Sequence, residues 1–171
     1  MTNCLILIDC TDCPIAEPTP HIFDRTYWSR KINGPALKYE VARCIFTGYI
    51  CHWNGPHKPS VADITIFREE LLHKLDHGEV VETDNGCGGE NETKTPDIAK
   101  SRVGRKQKSV VRAAQENIFA KVKMFGAFET CWDHSHAKHG WAFGAALVIT
   151  QLGFEHGTLG QYETRYTNEY F

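Results

Sequence analysis

Leu5-Ile6-Leu7-Ile8-Asp9 is the stretch whose reading decides the fold. Four apolar residues running straight into a carboxylate predict a short strand buried on both faces, in the middle of a sheet covered by helices. Open α/β sheets bind ligands at the carboxyl ends of such strands. Asp9 is therefore expected at an active edge. The competing reading is a turn, Asp9-Cys10-Thr11-Asp12, in which Asp only closes the strand.

The chain has 171 residues and a formal net charge of −2. That length predicts one domain with a full core, and the charge excludes a uniformly basic nucleic-acid coat. Leu5–Ile8 is too short for the apolar region of a signal peptide. Trp141–Leu152 is too short to span a bilayer. The expectation is a soluble, intracellular protein with no membrane partner. Seven scattered cysteines, an odd number, suggest reduced thiols rather than a disulfide framework.

Working outward, Pro14, Pro18 and Pro20 predict a loop over Thr11–Pro20. Asn33-Gly34-Pro35 marks a turn. Leu37–Ile45 and Tyr49–Trp53 are β-branched and aromatic segments that predict an antiparallel hairpin beside the first strand. Ser60, with Asp63 three residues later, resembles a capping box and predicts a helix. Its buried stripe would be Ile64, Phe67, Leu71 and Leu75, and Gly78 would supply the left-handed stop. Val80-Val81 then reads as a short strand delivering Asp84 to the turn at Asn85-Gly86.

Residues 86–109 show no period and are expected to be loop. Within them Lys100, Arg102, Arg105, Lys106 and Lys108 form a basic run, which by itself reads as a solvated linker. A helix is expected from Ser109, with Val111, Ala114, Ile118, Val122 and Phe125 on one face and Arg112, Glu116, Ala120 and Lys123 on another. After a polar, His-rich break at Trp132–His139, Gly140–Leu152 is apolar on nearly all sides and predicts a buried closing helix. The domain is placed at residues 1–155, with 156–171 as a tail of little structure.

Three carboxylates on three elements, Asp9, Asp63 and Glu116, are candidates to converge on divalent metal. Oxygen ligands suit the hard ions Mg²⁺ and Mn²⁺. Each also has a plainer role: Asp63 as an acid complementing a helix N-terminus, and Glu116 as the i,i+4 partner of Arg112.

The chain resembles the catalytic domain of Harbinger-type DDE transposases, a eukaryotic branch related to bacterial insertion-sequence transposases. The matching stretches are Asp9-Cys10-Thr11-Asp12-Cys13-Pro14-Ile15, Tyr27-Trp28-Ser29-Arg30-Lys31, Leu37-Lys38-Tyr39-Glu40, and the run from Gly55-Pro56 to Phe67-Arg68. Gly78–Gly86 and Arg112–Lys123 complete the match, which spans residues 5–152. The resemblance implies an α/β, RNase H-like fold, nuclear location, and DNA cleavage and strand transfer with two divalent cations, Mg²⁺ or Mn²⁺. It puts the catalytic and metal-binding triad on Asp9, Asp63 and Glu116, with Asp84 in support. Lys100, Arg102, Arg105, Lys106, Lys108 and Arg112 would then bind DNA. Cys10 stands where the family has Gly, and Asp84-Asn85-Gly86-Cys87 replaces its Asp-Lys-Gly-Tyr turn. The family's upstream helical DNA-binding region is not in this sequence. A separate DNA-binding protein or an N-terminal DNA-binding domain outside this sequence, and a homo-oligomer, fit such a chain.

Two other readings compete. A zinc module would use Cys10-x-x-Cys13 with Cys51-His52 or with His134, His136 and His139. A catalytically silent remnant would keep the fold as a binding scaffold.

Overall fold

The computed structural model describes residues 4–18, 24–84, 87–95 and 102–157, with only the backbone at 4–5 and 102–111. Strand β1 (Cys4–Pro14) lies at the centre of a six-stranded mixed sheet. It pairs antiparallel with β3 (Gly34–Cys44) and parallel with β5 (Val80–Glu82). β6 (Thr93–Lys94) extends the parallel side. On its other side β3 carries β4 (Ile50–His57), and at its start the two-residue β2 (Trp28–Ser29). The expected hairpin is therefore β3 and β4.

β1 does not stop at Asp9. Asp9 through Cys13 pair with Val41 through Leu37, and Thr11, Asp12 and Cys13 are buried. The predicted loop gives way to strand because β3 satisfies the backbone of these turn-forming residues, while the Ser29 hydroxyl donates to the Asp12 carboxylate at 2.5 Å. Asp9 thus sits within the strand, not at its end.

Side-chain alternation along β1 and β3 divides the molecule. Cys13, Leu37, Tyr39 and Val41 face α2 (Arg102–Lys123) and α3 (His136–Glu155), packing with Ile118, Val122, Phe143 and Leu147. Ile8 and Ala42 face the other way, against Phe67 and Leu71 from α1 (Asp63–Glu69) and the 3₁₀ turn after it. Helices therefore cover both faces, and the architecture is mixed α/β.

The first helix begins later and ends sooner than its sequence suggests. Ala62 occupies the N-cap position with no side-chain bond, so Ser60 caps nothing. Asp63 is drawn instead into an ion pair with Lys38. The helix stops at Glu69, a 3₁₀ turn runs over Leu71–Lys74, and Gly78 has the left-handed φ of +82°. Phe67 and Leu71 are buried as the stripe predicted.

Three further expectations are corrected. The stretch 86–109 is not loop throughout: β6 pairs beside β5, and α2 begins at Arg102 rather than Ser109. Phe125 lies beyond the end of α2 and is exposed. Gly140–Leu152 is not buried on all sides, for Trp141, Val148, Ile149 and Leu152 face solvent. No helix among the described residues is long and apolar enough to cross a membrane. The tail from Thr158 lies outside the described residues.

Candidate active site

Asp9 is half-buried on the α2 face, because its ladder partner Val41 packs there. Its Oδ1 accepts the Cys10 backbone N–H at 2.7 Å. Burial pushes its carboxyl up to about 6; Lys31 and the Cys10 N–H pull the other way, while the charges of Asp84 and Glu116 push it further up. The charges of acids from two further elements thus reach Asp9.

The fold explains how they meet. Asp84 follows β5, the parallel neighbour of β1, and Thr83 still donates to the Lys94 carbonyl at 3.0 Å. Asp84 therefore emerges from the carboxyl end of a strand adjacent to that of Asp9. Glu116 arrives from α2. Its neighbour Gln115 is fully buried and donates through Nε2 to the Val41 carbonyl at 3.1 Å, which pins α2 across β3 at the residue paired with Asp9. Glu116 itself remains exposed.

Asp63 is elsewhere. Its Oδ1 lies 2.7 Å from Lys38 Nζ, which also donates to the Val61 carbonyl at 2.7 Å. Lys38 and Glu40 alternate with Tyr39 and Val41 along β3, so they point to the α1 face. Asp63 and Asp9 stand on opposite faces of the sheet. Of the three expected acids, Asp63 is paired with Lys38 on the α1 side, and the acids whose charges act on Asp9 are Asp84 and Glu116.

The α1 face has its own unusual carboxylate. Glu40 is 1% exposed, and neither of its oxygens has a hydrogen-bond partner. Burial first, then Asp63 and Glu70, push its carboxyl up to about 8. Burial thus favours its neutral form.

Lys31 is the site residue that sequence reasoning left without a role. Its Nζ donates to the Cys10 carbonyl at 2.9 Å, beside Asp9. Burial opposes its charge, but Asp9, Asp63 and Asp12 together raise its pKa. Its only signal was membership of the Tyr27–Lys31 stretch. Lys31, Arg30, Arg25, Tyr27 and Trp28 also line a cleft of about 1020 Å³. Arg112 is exposed on α2 one turn before Glu116. Arg102, Arg105, Lys106 and Lys108 belong to the same helix rather than to a linker, and Lys100 lies outside the described residues.

The zinc arrangement does not form. Cys10 and Cys13 are both buried but point to opposite faces of β1, three residues apart in a two-residue repeat. Burial holds both thiols protonated, Cys13 up to about 12. The histidines are dispersed: His139 shares a 2.7 Å hydrogen bond with the Tyr39 hydroxyl, His136 packs on Tyr27, and His134 meets Trp132. Among the described residues no three His, Cys, Asp or Glu side chains close around a metal-sized point. Comparison with family models, curated proteins and solved structures yields no match for this chain.

Proposed function

We propose that the chain is a metal-dependent DNA-cleaving and strand-transferring domain of the Harbinger transposase type, with an RNase H-like fold and its acidic centre at Asp9, Asp84 and Glu116. The observation that carries the reading is geometric: Asp9 lies on the α2 face of β1, Asp84 follows the adjacent parallel strand β5, and Glu116 stands on α2 beside Gln115, which bonds to the carbonyl of Val41, the ladder partner of Asp9. Carboxylates near one another repel, and a cation between them lowers that cost. The mixed sheet with helices on both faces supports the fold assignment.

The donors fit the ions. Carboxylate oxygens are the ligands that Mg²⁺ and Mn²⁺ favour; Asp9, Asp84 and Glu116, which close around no metal-sized point in this structure, would hold them once a cation draws them together. When bound, such ions supply a water or hydroxyl activated for in-line attack and charge for the leaving oxygen. The chain's own groups do the rest. Asp9 is oriented by the Cys10 N–H. Lys31 brings a fixed cation beside the acids, where a DNA phosphate needs neutralising. Arg112 and the basic first turns of α2 offer further cations to the phosphates.

The test is Mn²⁺-dependent nicking of supercoiled DNA by the parent and by Asp9→Asn, Asp84→Asn, Glu116→Gln and Asp63→Asn. The first three lose cleavage while remaining folded, and Asp63→Asn retains it. Loss confined to Asp63→Asn would overturn the assignment. A folded parent that binds DNA but never nicks it would leave a binding scaffold in place of an enzyme.

A further inference from the structure

Helix α3 has two apolar faces, and the fold uses one. His139, Phe143, Ala146, Leu147, Thr150 and Phe154 are buried against the rest of the molecule. On the opposite side Lys138, Trp141, Ala145, Val148, Leu152 and Glu155 are all exposed, Trp141 to 81% and Val148 to 59%. Single exposed apolar residues are ordinary, but a continuous row of them along a helix marks an interaction surface. The steps along this row are three, four, three, four and three residues, the spacing of a seam between two helices. Ile149, 53% exposed, borders it.

We propose that this face pairs with the same face of a second copy of the chain, the two α3 helices antiparallel about a two-fold axis. The symmetry of the row identifies the occupant. Lys138 and Glu155, Trp141 and Leu152, and Ala145 and Val148 are each equidistant from the midpoint between Ala146 and Leu147. A two-fold axis there sets Trp141 of one copy on Leu152 of the other, and Ala145 on Val148, each pairing made twice. It also sets Lys138 of each copy against Glu155 of the other. A parallel pair would oppose Lys138 to Lys138 and Glu155 to Glu155. The charges at the two ends therefore favour the antiparallel self-pair. The row is about 26 Å long at the rise of an α-helix, and the exposed Trp141 is the kind of anchor that dominates association energy.

The full chain should show a weight-average mass that rises with concentration toward twice the monomer in sedimentation equilibrium. Trp141→Glu should hold it at the monomer mass, with the melting profile that the parent shows at dilutions where it too is monomeric. Lys138→Glu and Glu155→Lys should each weaken association roughly tenfold, which corresponds to about 1.4 kcal/mol. The double swap Lys138→Glu with Glu155→Lys should restore it, because the pairing is recreated with its signs exchanged. Restoration separates self-pairing from a general loss of surface charge or of helix stability. A parent that stays monomeric at every concentration, or a double swap no better than the single variants, would overturn the proposal.

Discussion

Lys38 Nζ stands 2.7 Å from Asp63 Oδ1 on the face of the sheet turned away from Asp9. The pair is largely buried, at 9% and 19% side-chain exposure. Removing the acid leaves a buried ammonium with one partner fewer. Asp63→Ala is expected to lower stability by on the order of 1–3 kcal/mol, with Asp63→Asn milder because the amide oxygen still accepts. Chemical denaturation measures the loss. Neither variant should abolish Mn²⁺-dependent nicking.

The acidic centre makes a prediction with a sign. Asp9 holds its proton up to about pH 6 in the folded chain, against 3.8 as its ordinary value. Its contribution to stability is therefore fullest below about 3.8 and is lost as pH rises toward 6. Without metal, Asp9→Asn should gain stability relative to the parent across that window, by on the order of 1–3 kcal/mol at neutral pH. Glu116→Gln should move the Asp9 titration down, and Lys31→Ala should move it up. Carboxyl NMR titration of the three proteins reads both directions. An Asp9 signal indifferent to Glu116→Gln would dissolve the cluster.

Glu40 acts in the same sense over a wider range. Its folded carboxyl titrates near 8 against an ordinary value of 4.5. The parent should lose stability as pH rises from 4.5 to 8, by up to about 1.4 kcal/mol per pH unit. Glu40→Gln keeps the shape and removes the charge, so its stability should stay nearly flat there. Urea melts at several pH values compare the two slopes, and parallel slopes would show that Glu40 does not titrate in this window.

Gly144 lets α3 pack closely on the Trp53 ring of β4. A Cβ added there would lie 2.7 Å from the Trp53 ring. Gly144→Ala should therefore destabilise by about 1–3 kcal/mol despite the higher helix propensity of alanine. A thermal melt at or above that of the parent would mean that α3 sits farther from β4.

The basic first half of α2 makes a prediction about DNA binding. Replacing Arg102, Arg105, Lys106, Lys108 and Arg112 by Gln should weaken DNA binding. The dependence of log affinity on log salt should become shallower by about 0.9 for each DNA phosphate that the variant no longer neutralises. An unchanged salt slope would show the run to be a solvated helix face and nothing more.

Local pattern was enough for much of the architecture. The β-branched segments around Phe46-Thr47-Gly48 determined the β3–β4 hairpin, Val80-Val81 determined β5, and Ala114, Ile118 and Val122 marked the buried face of α2. These signals suffice because the period of the side chains is itself the local structure. Tertiary structure decided which acid joins Asp9. Asp63 and Asp84 follow breaks that leave their faces open in the sequence. Only pairing with Lys38 on the one side, and the parallel register of β5 with β1 on the other, sorts them. It also decided how far β1 runs, since Thr11 and Asp12 favour turns until β3 supplies their backbone partners. Last, it chose the inward face of α3: with apolar residues all round, periodicity is silent, and the close fit of Gly140 and Gly144 against Pro56 and Trp53 turns Trp141 and Val148 to the outside.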